Sequence, residues 1–117
     1  MSDFERCSQA FVYGTLRRSG SNHWRMDGAE FVGETSLRGR LYRVDWYPGL
    51  VLDSEAGEVF GEVFTLSGVE QLQMLDDYEG QEYQRMLVQT SCGPAWCWEF
   101  IRSCEGLEQL ASGRWES

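Results

Sequence analysis

FVYGTL at residues 11–16 is a short apolar run that ends at a glycine and a threonine, with two arginines directly behind it. The pattern predicts a β-strand that gives way to a tight turn of exposed backbone N–H groups. Gly14 can take positive φ and has no side chain, so a ligand oxygen could approach the amides that follow it. The turn is a candidate cradle for an anion or an oxyanion, and a plain strand end is the alternative.

The residues on either side of this turn predict a mostly β fold. A loop follows it, and a short helix can begin at Ser21 or Asn22. Apolar alternation, bounded by turn residues such as YPG at 47–49 and SCGP at 91–94, indicates further strands. These lie at 29–44, 50–52, 58–66, 83–90 and 95–102. Many strands with one main helix predict a small α+β domain with a highly curved, mostly antiparallel sheet or a closed barrel.

The main helix is predicted over residues 67–78, because apolar side chains recur there at every third position. Ser67 and Glu70 match a capping box at its start, and Gly80 supplies its stop. The end of the chain, which contains Leu107, Leu110 and Trp115, is expected to form a surface helix and a tail.

Three carboxylates occupy the last turn of this helix, at Asp76, Asp77 and Glu79. The partial negative charge of a helix C-terminus opposes them. A carboxyl group held there beside other acids and under aromatic rings such as Tyr78 and Tyr83 would have a raised pKa, as a general base requires. Glu79 is the best candidate, and three solvated acids on an exposed turn are the alternative.

Composition limits the classes of partner. The chain has 117 residues and a net charge of -9, which predicts one domain over residues 1–117 and disfavours nucleic acid and anionic membranes as partners. We expect a soluble, cytoplasmic protein, because no apolar run approaches about 18 residues and the first residues are not an export leader. A monomer or a weak homodimer is expected.

The cysteines and the single histidine predict neither a metal site nor a cofactor. Cys7, Cys92, Cys97 and Cys104 contain no C-x-x-C pair, and His23 is alone. Cys92 and Cys97 could face each other across a hairpin, but we expect all four thiols to be free.

An ordered set of short motifs resembles the gamma-glutamylcyclotransferase-like family across nearly the whole chain, most closely its small bacterial members and the gamma-glutamylamine cyclotransferase branch. The motifs are YGTL (13–16), NH (22–23), Gly33, YPG (47–49), GEVF (61–64), LDDYEG (75–80) and YQR (83–85). SGRW at 112–115 resembles a family ending that commonly has Asp at the position of Arg114.

The resemblance implies a small mixed β-barrel with helices packed outside and a cavity that holds a small gamma-glutamyl amide. It also implies that Tyr13, Gly14, Thr15 and Leu16 bind the substrate and that Glu79 is the catalytic acid and base. The expected reaction is an acyl transfer or lyase reaction in which the substrate's own α-amine attacks its γ-carbonyl. The products would be 5-oxoproline and a free amine, so no enzyme nucleophile is needed.

Several neighbouring residues have two interpretations each. Tyr83 could close the substrate pocket with its hydroxyl or belong to the core. Arg85 could pair with a substrate carboxylate or with Asp76 or Asp77, and His23 could touch a ligand or pack. Rim residues Arg17, Asn22 and Tyr47 do not identify the leaving amine.

Two rival functions remain from other classes. The same cavity could belong to a non-catalytic domain that binds a small carboxylate. Alternatively, exposed Trp24, Trp46 or Trp115 could anchor a protein partner.

Overall fold

A computed structural model of the chain describes residues 2–116 and has a mixed α+β architecture. The strands are β1 (Gln9–Val12), β2 (Glu30–Arg43), β3 (Pro48–Leu52), β4 (Glu58–Thr65), β5 (Tyr83–Thr90), β6 (Gly93–Phe100) and β7 (Glu108–Gln109). The helices are α1 (Asp3–Arg6) and α2 (Val69–Glu79), and 3-10 turns span His23–Met26 and Gly80–Glu82. The predicted fold class, a curled and mostly antiparallel sheet with one main helix, is confirmed.

The seven strands form a curled sheet in the order β3-β2-β4-β1-β6-β5, with β7 paired to β2. Every pair is antiparallel except β1 with β6. The long strand β2 produces much of the curl, because its first part pairs with β4 and its last part pairs with β3 and β7. β3 thereby reaches β6, where the Leu52 amide donates to Glu99 Oε2 at 2.9 Å. The sheet is a half-barrel.

Buried side chains form two clusters on the two faces of this sheet. One cluster packs between the sheet and α2, and it includes Leu72, Leu75 and Trp98. The other fills the inside of the curl, with Phe11 and Val63 among its members. Both faces of the central strands are therefore apolar, which explains why β1 buries three of its four residues and β6 buries five of its eight.

Helix α2 ends as predicted but begins differently. Gly80 follows its last residue with a φ of 75°, a conformation that glycine adopts without strain. The predicted capping box of Ser67 and Glu70 is wrong. Buried Gln71 takes that role, since its Oε1 accepts from the Ser67 amide at 2.8 Å and the Ser67 hydroxyl at 3.0 Å. Within residues 2–116, neither α2 nor any other helix is long and apolar enough to cross a bilayer.

Two further expectations need correction. The segment after β6 contains turns and the short strand β7 instead of a surface helix, and Trp115 is buried inside the curl. Backbone pairing holds this segment to the sheet, since the Leu110 amide donates to Leu41 O and the Phe60 amide donates to Gly113 O. The predicted turn at 47–49 lies earlier, because Pro48 and Gly49 already belong to β3.

Candidate functional site

A cavity of about 200 Å³ lies where the turn after β1 meets the C-terminal end of α2 and the start of β3. All six residues predicted for the site line it: Tyr13, Gly14, Thr15, Leu16, Glu79 and Tyr83. The other lining residues are Phe11, Val12, Trp46, Tyr47, Pro48, Tyr78, Glu82 and Trp98. The fold thus brings two segments that are far apart in the sequence to one cavity.

The turn at residues 14–16 is buried, and only part of its backbone hydrogen-bonding groups have partners. The Asn22 amide donates to Thr15 O at 2.9 Å, and Arg17 donates to Gly14 O through its amide and its Nε. Within residues 2–116, by contrast, the amides of Gly14, Thr15 and Leu16 donate to no acceptor. Buried amides are rarely left unpaired, so these three are suited to receive an anionic ligand group.

Gly14 is required here for a steric reason. Its φ is not positive, in contrast to the conformation that the sequence suggested. A Cβ at this position would instead lie 2.7 Å from Pro48 Cγ, closer than any ordinary contact. The absent side chain lets the turn approach the start of β3 and so shapes one wall of the cavity.

Glu79 ends α2 with its half-buried side chain at the cavity. Burial raises the pKa of its carboxyl from 4.5 to about 8, and the negative charge of Asp76 adds to the shift. No hydrogen bond to its carboxylate from residues 2–116 counteracts this rise. A carboxyl with such a pKa can both accept and return a proton near neutral pH.

The other two acids of this helix end do not share that environment. Asp77 is exposed, whereas Asp76 accepts from Trp98 Nε1 at 2.8 Å and pairs with Arg85 at 3.0 Å. Arg85 also pairs with Asp3. Its structural interpretation is therefore confirmed, and Arg85 does not line the cavity. The pairing leaves Glu79 without a neutralising cation from that side.

The hydroxyls of the two tyrosines predicted for the site form hydrogen bonds with the backbone of the protein. Tyr13 donates to Trp98 O at 2.8 Å and accepts from the Leu50 amide at 3.1 Å, so its ring fixes the turn against β3 and β6. Tyr83 donates to Pro48 O at 2.5 Å. Burial raises the pKa of both phenols well above 10. Both residues shape the cavity and stay neutral.

Thr15 and Tyr78 form the remaining polar contact in this wall. Their hydroxyls share a hydrogen bond of 2.8 Å, which joins the turn directly to the last turn of α2. Burial also raises the pKa of Tyr78. This bond sets the separation between the free amides and Glu79.

Sequence reasoning missed part of the lining. Glu82 lies three residues after Glu79 in the 3-10 turn that continues α2, and this spacing could have indicated a shared side. Trp98 lies on β6 at the same face as α2. Arg17 and Asn22, expected at the rim, instead support the turn from behind.

The histidine and the four cysteines, which could have bound a metal ion or reacted as thiols, are not among the residues that line the cavity. His23 packs on Phe64, and its Nδ1 is 2.9 Å from Leu16 O, so its packing interpretation is confirmed. All four cysteines are free, as expected. Within residues 2–116, no three His, Cys, Asp or Glu side chains converge to hold a metal ion. Trp24 and Trp46 are exposed, whereas Trp115 is not available to a partner.

Comparison with known proteins identifies the family. The chain is 41% identical over 109 residues to the gamma-glutamylcyclotransferase family protein ytfP of Citrobacter rodentium, covering 90% of this chain and 92% of that protein. The solution structure of ytfP from Escherichia coli superposes with a TM-score of 0.73 at 38% identity and covers 92% and 95% of the two chains. A crystal structure of a protein from Pyrococcus horikoshii superposes with a TM-score of 0.78 at 29% sequence identity. The match covers 91% of this chain and 87% of that chain.

The sequence model of one family covers almost all of the chain. It is described as gamma-glutamyl cyclotransferase, AIG2-like, and it matches residues 10–117. The matched range includes both the turn at 13–16 and Glu79. The chain belongs to this gamma-glutamylcyclotransferase family, as its motifs predicted.

Proposed function

We propose that this protein is a cyclotransferase that converts a small gamma-glutamyl amide into 5-oxoproline and a free amine. One observation carries the proposal: unpaired buried amides and a carboxyl with a pKa of about 8 line the same small cavity. Acyl transfer needs donors for an anion and a group that moves protons. Membership in the family supports the same reaction class.

Glu79 would move the protons of this reaction. Its carboxylate takes a proton from the substrate's α-ammonium, and the resulting amine attacks the γ-carbonyl carbon. The new C–N bond gives a tetrahedral oxyanion, which collapses as the bond to the leaving nitrogen breaks. Two protons leave the α-nitrogen, and two reach the leaving nitrogen through Glu79. The carboxylate therefore ends in its initial state.

The amides of residues 14–16 would hold the negative groups. They can bind the substrate carboxylate or stabilise the developing oxyanion, and either role orients the glutamyl chain for ring closure. Tyr78 and Tyr83 would exclude water from the reacting atoms, because their rings line the cavity and their phenols stay neutral.

The direct test is product formation. Purified protein is mixed with a panel of gamma-glutamyl amino acids and gamma-glutamyl amines, and 5-oxoproline is measured by chromatography. Glu79→Gln keeps the side chain's size and removes the base, so we expect turnover to fall by at least ~10²-fold. Glu55→Gln removes an equal charge from the exposed turn after β3 and should leave turnover unchanged.

Three results would contradict parts of this proposal. No product from any panel member would exclude the activity for that panel. Undiminished turnover in Glu79→Gln would exclude the assigned base. Calorimetric binding of these ligands without product, equally strong in Glu79→Gln, would instead support the non-catalytic carboxylate-binding function.

A further inference from the structure

A second cavity, with a volume of about 820 Å³, lies outside the candidate active site. It is lined by residues 17–19 after the turn, by 34–36 of β2, by 60–62 of β4, and by Ser91 and Arg114. None of these residues lines the cavity that contains Glu79. Three of them are arginines and two are glutamates, so the lining is positive overall in a chain whose net charge is -9. A locally positive cavity in an acidic protein is suited to an anion.

Both carboxylates of this lining are bound by one arginine, Arg18. Its Nη2 lies 3.0 Å from Glu34 Oε1, and its Nε donates to Glu62 Oε2 at 3.2 Å. The Arg18 amide also donates to Glu62 Oε1 at 2.8 Å. The same guanidinium lies over the Phe31 ring, 3.6 Å from its centroid. Arg18 therefore has its partners within the protein, and the other two arginines supply the excess positive charge.

Arg17 and Arg114 form no ion pair in the part of the chain that the structure describes. Arg17 donates from Nε to Gly14 O and from Nη2 to Trp115 O, and no acceptor within residues 2–116 binds its Nη1. The Arg114 guanidinium lies 4.0 Å over the Phe60 ring. A guanidinium keeps its N–H donors in its own plane, so the ring leaves them available. Two positive groups with spare donors thus belong to one cavity.

The two guanidinium groups also lie close enough to repel each other. Burial lowers the pKa of Arg17, and the positive charge of Arg114 lowers it further, whereas Glu62 and Glu116 act in the opposite direction. An anion bound to both arginines would relieve this repulsion. Guanidinium groups bind carboxylate and phosphate oxygens with paired hydrogen bonds, and the hydroxyl of Ser19 in the same lining can add a neutral donor.

We propose that this cavity is a second ligand site, in which Arg17 and Arg114 together bind a phosphate group, either as the free ion or as a small monoester. Two cationic groups match the two negative charges of such a ligand. Arg17 can bind it through Nη1 while it keeps its bonds to Gly14 O and Trp115 O. The site therefore lies directly behind the turn that carries the free amides. The proposal is independent of the reaction at Glu79.

Calorimetric titration with inorganic phosphate, near neutral pH and at constant ionic strength, tests the proposal. We expect a Kd below ~1 mM, and sodium chloride at the same ionic strength should not bind measurably. A parallel titration with methyl phosphate distinguishes the two sources of the ligand. Tighter binding than that of inorganic phosphate would indicate a monoester, and weaker binding would indicate the free ion.

Three variants at exposed positions make the result specific to this cavity. Arg114→Gln should weaken phosphate binding at least ~10-fold, because it removes a charged donor. Glu34→Gln should tighten it about two- to threefold, because it removes a negative charge from the lining. Arg102→Gln, outside the cavity, should leave the affinity unchanged. In NMR titrations the Nε–H resonances of Arg17 and Arg114 should shift, whereas that of Arg102 should not.

Three results would overturn the proposal. The first is no binding up to ~10 mM phosphate, and the second is binding that chloride reproduces. The third is phosphate binding that Arg114→Gln does not weaken, which would place the ion on another group, such as the free amides of residues 14–16. All of these measurements concern binding alone, so their outcome does not depend on whether 5-oxoproline is formed.

Discussion

Glu79 follows Asp76 by one turn of α2, and both carboxyl groups lie where the helix carbonyls also point outwards. Burial against the aromatic lining opposes ionisation of Glu79 most strongly, and the negative charge of Asp76 adds to this effect. Asp76 itself is bound by Arg85 and Trp98. Two acids in one helical turn therefore have different environments, and only the one at the cavity is suited to proton transfer.

Stability should depend on the ionisation of Glu79. Its pKa is about 8 in the folded protein and has its ordinary value of 4.5 in the unfolded chain. The folded state binds the proton more tightly, so this contribution is complete below pH 4.5 and is lost as pH rises through 8. Glu79→Gln cannot ionise. At about pH 9 it should be more stable than the wild type by at least ~1.4 kcal/mol, the equivalent of one pKa unit.

Thermal unfolding followed by circular dichroism at about pH 5 and about pH 9 measures this difference. The gap between Glu79→Gln and the wild type should be much smaller at the lower pH. Glu55→Gln, at an exposed position, should show the same small difference at both values. A constant gap for Glu79→Gln would show that the folded protein does not hold this proton.

At the scale of an element, the start of α2 depends on Gln71 more than on any capping residue. Gln71 is 7% exposed, and its amide side chain joins three segments. Its Oε1 accepts from Ser67, and its Nε2 donates to Asp27 O at 3.1 Å. Gly68 at the N-cap supplies no side-chain bond. One buried amide therefore fixes where the helix begins and how it meets the loop before β2.

Gln71→Ala should destabilise the protein by about 2 kcal/mol, because it leaves the Ser67 amide and the Asp27 carbonyl without their partner. Urea unfolding measures the change in free energy. Gln73→Ala is the matched control, since Gln73 lies on the exposed face of the same helix and should change stability by less than ~0.5 kcal/mol. Equal effects of the two substitutions would refute this role of Gln71.

These elements also show what local patterns can predict. Strand β5 matches its predicted range, and Gly80 ends α2, because alternation and a left-handed glycine are local signals. Short motifs also predicted the residues on both sides of the cavity, which are the turn at 13–16 and Glu79. The start of α2 was not predicted correctly, because Ser67 and Glu70 fit a capping box. The residue that fixes this start is Gln71, and it does so partly through a long-range hydrogen bond to Asp27. Glu82 was missed because only its spacing from Glu79 pointed to the cavity, and its bond to Tyr47 is a long-range contact.

At the scale of the whole molecule, the C-terminal segment completes the core and supports the site. Trp115 is 2% exposed and fills the inside of the curl. Its carbonyl accepts from Arg17 Nη2, and the same guanidinium donates to Gly14 O through Nε at 3.0 Å. The final residues are thus joined to the turn that carries the free amides. A periodic pattern cannot predict this link, because its stabilising contacts are all distant in the chain.

Trp115→Ala should lower the free energy of unfolding by about 3–5 kcal/mol, because it opens a cavity in the core. Trp24→Ala, at a side chain that is 64% exposed, should cost less than ~1 kcal/mol in the same urea titration. A comparable loss in both variants would contradict the structural role of Trp115. Arg17→Met tests the link to the site, because it removes the guanidinium that donates to both the Trp115 carbonyl and Gly14 O. It should stay folded and raise KM more than it lowers kcat, because the substrate-holding turn loosens while Glu79 stays in place.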